Sequence, residues 1–290
     1  MFKCSIIQLY SPMKNLIPII LLSVVILTSC SPVKRTFEND LLAHFQSSDG
    51  SEKVLTKDDI SHLPQPVQRY FEHCGYIGKP LPMNAEVVWA DSHIKMAPDK
   101  KWMKLKTTQF NCVEVPFRIA YMKARMFGII PFDGRDIYFG GHGHMYGKVA
   151  NLITVFDEKD QEIAQSALII ILAEALLVPG YALADYISWE PVDENSAKAR
   201  LVHTGIDVSG IFFFNEQGEM TRFETGDRYY MHPEKGNVLT AFSAEVGDYK
   251  KQGDLKIPGS LLAVWHLDSG RYEYWKGNIS EIKYNISIAP

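Results

Sequence analysis

The sequence predicts a mainly β fold of the α+β kind. It is a curved antiparallel half-barrel sheet of roughly a dozen strands, with a central apolar helix in its hollow and a short N-terminal helix. Three observations carry this expectation. Residues 167–178 are apolar at every position except Glu174, and a helix apolar all round must be covered all round. Nearly everything on either side of that segment alternates with the period of two that marks strands. Turn residues such as Asn215-Glu216-Gln217-Gly218 and Asp268-Ser269-Gly270 punctuate those runs, with glycine where a left-handed residue is wanted.

Taken in order, the chain begins with a targeting segment. Lys14 precedes a short apolar run at 16–27, followed by Leu27-Thr28-Ser29-Cys30. A basic start, an apolar stretch and small residues before a cut site make a secretory signal, and Met13 is a better start for it than Met1. Residues 1–29 are expected to be this signal, 30–55 a polar tether, and 56–290 a single β-rich domain. Thr56 is a predicted N-cap with acidic residues behind it. Pro66 suits the first turn of a helix whose apolar face is Val67, Tyr70 and Phe71, with Gly75 at its end.

Strands are expected at 85–90, 101–110, 117–121 and 126–132, with Asp133-Gly134 as a turn. A strand at 145–155 then enters the central helix of 157–181, capped by Asp157 and stopped by Pro179 and Gly180. Later strands are expected at 187–191, 197–203, 206–214, 220–230, 238–249, 259–267, 272–275 and 278–288.

The chain has 290 residues, 46% apolar, enough for one sizeable core. Its net charge of -4 falls to -6 without residues 1–29, which hold Lys3 and Lys14 and no acid. With no basic excess, a nucleic-acid partner is not expected. Of four cysteines, Cys4 lies in the signal. Cys74 and Cys112 either pair in an oxidising compartment or stay as free buried thiols, and a large core needs no staple.

Two resemblances add to this reading. Leu27-Thr28-Ser29-Cys30 resembles the bacterial lipobox, which implies cleavage before Cys30 and its diacylation. By resemblance to lipoprotein sorting rules, Ser31 implies the outer membrane, on its periplasmic face. Leu63-Pro64-Gln65-Pro66-Val67-Gln68-Arg69-Tyr70 with Gly75 and Gly78 resembles the opening of an uncharacterised bacterial domain family. So do Leu172-Ala173-Glu174-Ala175 before Pro179, Ile257-Pro258, Trp265 and Tyr274-Trp275. The likeness spans about 57–288 and brings no assigned function. The expected shape is similar to the curved sheets of Lol-type lipoprotein carriers, in architecture alone.

Glu174 is the sharpest candidate, because a carboxylate inside an apolar helix must be paired or neutral. Arg200, Arg222 and Arg228 are expected partners; a docking ion pair and a ligand-facing role both stay open. His142 and His144, at i and i+2 of a strand, point the same way and are weak metal candidates. No third ligand follows at recognisable spacing, with His203, His232 and His266 possible in principle. The glycines beside them read as a tight bend against the helix, and no metal or other cofactor is expected. No Gly-x-Ser-x-Gly occurs, Ser209 lies within a strand pattern, and His73 and Cys74 are adjacent on a helix and do not face each other.

The candidate ligand-binding residues are therefore Glu174, Leu168, Ile171 and Leu172 on the helix, with Trp265 and Trp275 from the late aromatic cluster. The function expected is a cell-envelope lipoprotein, membrane-bound through its N-terminal lipid, that binds a lipid-like or other apolar ligand. The alternatives are an envelope enzyme acting on a lipid or glycan component, and a structural or partner-binding envelope module.

Overall fold

The structure, a computed structural model, describes residues 31–47 and 53–288. Its first helix, α1 (Pro32–His44), lies where a tether was expected. Ser31 caps it by accepting from the Lys34 amide at 3.2 Å, and Pro32 opens it. Val33, Phe37 and Leu41 recur every fourth residue, so they share one face. That face is buried against Phe110, Phe117, Ile119, Tyr121 and Ile137 of the sheet. Burying three such side chains contributes roughly 5–9 kcal/mol before the entropy of ordering the helix. Asp40 pairs with Arg135, and the His44 ring stacks on Phe139 with centroids 3.8 Å apart. The correction is therefore that part of the expected tether packs on the domain.

Two short helices follow. In α2 (Lys57–Ile60), Thr56 and Asp59 form a reciprocal capping box. In α3 (Gln65–His73), Val67, Tyr70 and Phe71 are fully buried. Gly75 ends it at φ 81°, and the Tyr76 amide donates back to the Phe71 carbonyl at 3.0 Å.

Six strands then run as an antiparallel meander: β1 (Asn84–Ile94), β2 (Met103–Cys112), β3 (Phe117–Met126), β4 (Ile130–Phe139), β5 (His142–Val149) and β6 (Ile153–Glu158). Asp133 and Gly134 sit inside β4, not in a turn; the chain reverses at Phe127 and Gly128, both with positive φ. The single strand expected at 145–155 is two strands, parted by Ala150 and Asn151 at φ 53° and 60°.

The central helix is α4 (Gln161–Ala173). Its cap is Asp160, which accepts from the Ile163 amide at 2.8 Å. Asp157 lies instead in β6, opposite Tyr146. A 3-10 turn (Pro179–Leu183) follows, after which come β7 (Ile187–Asp193), β8 (Ser196–His203), β9 (Ile206–Phe214) and β10 (Met220–Thr225). Two hairpins interrupt the return, β11 (Tyr229–His232) with β12 (Gly236–Leu239), and β14 (Lys250–Gln252) with β15 (Leu255–Ile257). Between and after them run β13 (Phe242–Gly247), β16 (Ser260–Leu267) and the 15-residue β17 (Gly270–Tyr284).

Thirteen strands form one curved, unclosed antiparallel sheet in the order β6-β5-β4-β3-β2-β1-β17-β16-β13-β10-β9-β8-β7. Its two faces separate by alternation. On β3, Phe117, Ile119 and Tyr121 face α1, while Arg118, Ala120 and Met122 face the hollow. In the hollow, α4 lies with Leu168, Ile169, Ile171 and Leu172 fully buried. It approaches so closely that a Cβ on Gly143 would stand 2.5 Å from the Ala164 Cα. That contact accounts for Gly143, while Gly140 and Gly141 make the β4–β5 bend with φ of 57° and 86°. Cys74 and Cys112 are free and buried, and burial pushes both thiols up to about 12.

Candidate functional site

Glu174 is the C-cap of α4. Helix C-termini carry partial negative charge, so a carboxylate there is disfavoured unless a cation answers it. Arg118 of β3 does so: its Nε donates to Glu174 Oε1 at 3.0 Å and Oε2 at 3.1 Å. Asn111 Nδ2 at 2.8 Å and Gln109 Nε2 at 3.0 Å, both on β2, donate to Oε2. Arg118 Nη1 reaches Asp136 Oδ2 of β4 at 3.1 Å. Burial works against the guanidinium charge, but Glu174 and Asp136 outweigh it and hold Arg118 above its usual range. The cluster clamps the end of α4 to three adjacent strands.

The partner of Glu174 is thus Arg118 and none of the three arginines expected. Arg200 pairs with Asp207, and Arg222 with Glu224. Arg228 is different. Its guanidinium stands 4.2 Å from the Phe242 ring centroid and 4.7 Å from that of Trp265. Its Nη1 donates to the Tyr274 hydroxyl at 2.8 Å. Among the described residues no carboxylate pairs with it, and its Nε has no hydrogen-bond partner.

Arg118 and Arg228 both line a cavity of about 160 Å³ between α4 and the sheet. Trp89, Phe242, Tyr274 and Trp275 form much of its wall, with Met122, Met145 and Ile170. The wall has a backbone cause. A bulge between Ala263 and Val264 leaves Tyr274 as the extra residue of β17, so Tyr274 and its neighbour Trp275 both face inward. A second irregularity flanks Trp89 on β1. The Trp89 and Trp275 rings meet edge-on at 4.8 Å over Gly277, where a Cβ would come within 2.8 Å of both.

Of the expected ligand residues, Glu174 and Trp275 line this cavity. Trp265 stands behind it, packed on Phe242 and Tyr274. Leu168, Ile171 and Leu172 are core residues with no exposed surface; Ile170 and Ala173 face the cavity in their place. His144 holds Asp157 at 2.8 Å and lies 3.0 Å from Arg135, and His142 is exposed. Among the described residues no group of three His, Cys, Asp or Glu is placed to hold a metal. Larger hollows of about 520 and 470 Å³ lie on the other face, but they are open grooves between charged strands. His266 lines the second and is 2.9 Å from Ser243, which is fully buried and out of a substrate's reach. Cys30 lies outside the described residues.

Fold and cavity together define an open half-barrel sheet with an inlaid helix and a small amphipathic pocket at that helix's C-terminal end. The chain belongs to the family of unknown function DUF6544, whose model matches residues 53–277. Comparison with curated proteins gave no match. Among solved structures, a LolA superfamily protein from Nitrosomonas europaea is similar with a TM-score of 0.41 at 10% identity, over 77% of this chain and 94% of that one. Among the described residues no helix is long and apolar enough to cross a membrane.

Truncating Glu174 takes away the Nε partner of Arg118 and leaves it Asp136 and a long contact to Gln109. Glu174→Ala is expected to cost about 3–5 kcal/mol in chemical unfolding, and Glu174→Gln, which keeps its hydrogen-bond acceptor, clearly less. Equal stability of Glu174→Ala and the parent would contradict the clamp.

Proposed function

We propose that this protein is a cell-envelope lipoprotein, attached to the periplasmic face of the outer membrane through Cys30, whose pocket takes a lipid-like or other apolar ligand. The observation that carries the ligand reading is the pocket's composition. Its wall is largely aromatic and thioether, and one guanidinium in it lacks a carboxylate. Arg118 is saturated by Glu174 and Asp136, so it serves the fold. Arg228 is free to hold the polar end of an amphiphile, most strongly a carboxylate or phosphate.

Size narrows the ligand. A cavity of about 150 Å³ accommodates one benzene-sized molecule, so this one takes a ring or the end of a single chain. A longer acyl chain must extend out through the open side. The lipoprotein part of the reading is supported by the signal-like run before Cys30.

Chain lacking residues 1–30 is expected to bind a fluorescent fatty-acid probe at micromolar affinity or better, about -8 kcal/mol. Ile170→Trp fills the cavity and should weaken binding at least about tenfold, or 1.4 kcal/mol, with little change in melting. Arg228→Gln should weaken the carboxylate probe while leaving its methyl ester unaffected. Titrations in which neither variant differs from the parent would refute the pocket as the site. For the anchor, Cys30→Ser should yield unacylated protein that leaves the membrane fraction, because acyl chains supply the buried methylenes that hold it there. Retention with unchanged acylation would refute that part.

A further inference from the structure

Thirteen large apolar side chains are exposed among the described residues, and five gather on one edge of the sheet. They are Met96 in the β1–β2 connection, Phe127 and Ile129 at the β3–β4 turn, and Leu152 and Ile153 at the β5–β6 turn. Strand register sets these three connections side by side. Ile94 pairs with Met103, Leu105 with Ala124, Met126 with Ile130, and Phe132 with Val149. The Ala150 amide closes the gap by donating to the Pro131 carbonyl at 2.7 Å.

Phe127 is a poor choice for the fold. Its φ of 52° is in the left-handed region, which a bulky residue adopts only under strain. The ring is 87% exposed, so packing does not compensate. Glycine or asparagine would serve the turn better. A residue that breaks a local rule with no internal gain points to something outside the chain.

Charge identifies that something. Lys95, Lys100 and Lys101 lie on the β1–β2 connection, and Arg125 in β3 and Lys148 in β5 each stand two residues before a turn; the one acid among the connections is Asp99, in a chain whose net charge is -4. Apolar tips ringed by basic residues match an anionic lipid surface. The direction of α1 agrees. His44 stacks on Phe139, which pairs with Phe117 at the far end of β3, whereas Phe37 packs on Tyr121, nearer Met126. The first turn of α1 therefore points toward the hairpin edge. Cys30 directly precedes Ser31, so a lipid there would start on the same side; this clause alone rests on the proposed acylation.

We propose that this hairpin edge docks on an anionic bilayer, with Phe127, Ile129, Leu152 and Ile153 entering the boundary between headgroups and acyl chains. The test places an environment-sensitive NBD dye at position 127 through Phe127→Cys in the full chain with Cys4 and Cys30 replaced by serine; Cys74 and Cys112 are buried and escape labelling. A matching label at Val192, 52% exposed on the opposite edge strand β7, is the control. The protein is reconstituted into phosphatidylcholine vesicles with or without phosphatidylglycerol.

The expected result is a several-fold rise and blue shift at position 127 that is larger with phosphatidylglycerol and shrinks in high salt, while position 192 stays water-like. Combining Lys100→Glu with Lys101→Glu should remove the preference for phosphatidylglycerol. Water-like emission at both positions in both vesicles would overturn the proposal and leave a protein partner for this edge. The readout needs no ligand in the cavity, and flotation of Cys30→Ser reports the anchor separately, so each reading can fail alone.

Discussion

A carboxylate buried at the C-terminal end of an apolar helix sets the terms for the rest of this structure. Glu174 faces the wrong pole of the helix dipole and has almost no access to water. Arg118, Asn111 and Gln109 satisfy both its oxygens. Because those three residues stand on β2 and β3, the pair fixes where α4 lies in the hollow. The helix is drawn toward the β2–β4 wall by charge and held at β5 by the glycine contact with Ala164. What the clamp leaves unfilled between the end of α4, the inward residues of β2–β5 and those of β1, β13, β16 and β17 is the cavity.

Much of the architecture was legible because it follows from pattern. A segment apolar on every side demanded enclosure, and alternating runs on both sides of it supplied a sheet to curl around it. The same uniformity hid the site. When every position of a helix is apolar, periodicity cannot say which one faces a void, so Leu168, Ile171 and Leu172 were indistinguishable from Ile170. The partner of Glu174 was required by charge but not specified by it. Arg118 lies 56 residues earlier in the chain, between apolar neighbours on the inward-facing positions of β3, and that inward arginine was the available signal. Helix α1 left a fainter trace in Val33, Phe37 and Leu41, spaced four apart in a short, mixed stretch. Bulges leave no such trace. Tyr272-Glu273-Tyr274-Trp275 reads as ordinary alternation, yet the extra residue turns two successive aromatic rings to the same side.

The cavity wall and the apolar hairpin edge are connected. From Trp275 and Met122, a run of apolar residues continues through Ile94, Leu105, Met126 and Val149 to the turns that carry Phe127 and Leu152. Methionines in this run suit a surface that must adapt, since the thioether chain is flexible and polarizable. Arg228 lines the same cavity, with its charge stacked on rings and its Nε unmatched.

The central claim is that the pocket beside the Arg118–Glu174 clamp holds an amphiphile in the cell. Native mass spectrometry of the protein purified from its own membranes tests this most directly. The account predicts a bound small molecule with an anionic or polar head and an apolar body, absent from the same preparation when Ile170→Trp fills the cavity. An identical spectrum for both proteins, whether each carries the same adduct or neither carries one, would contradict it.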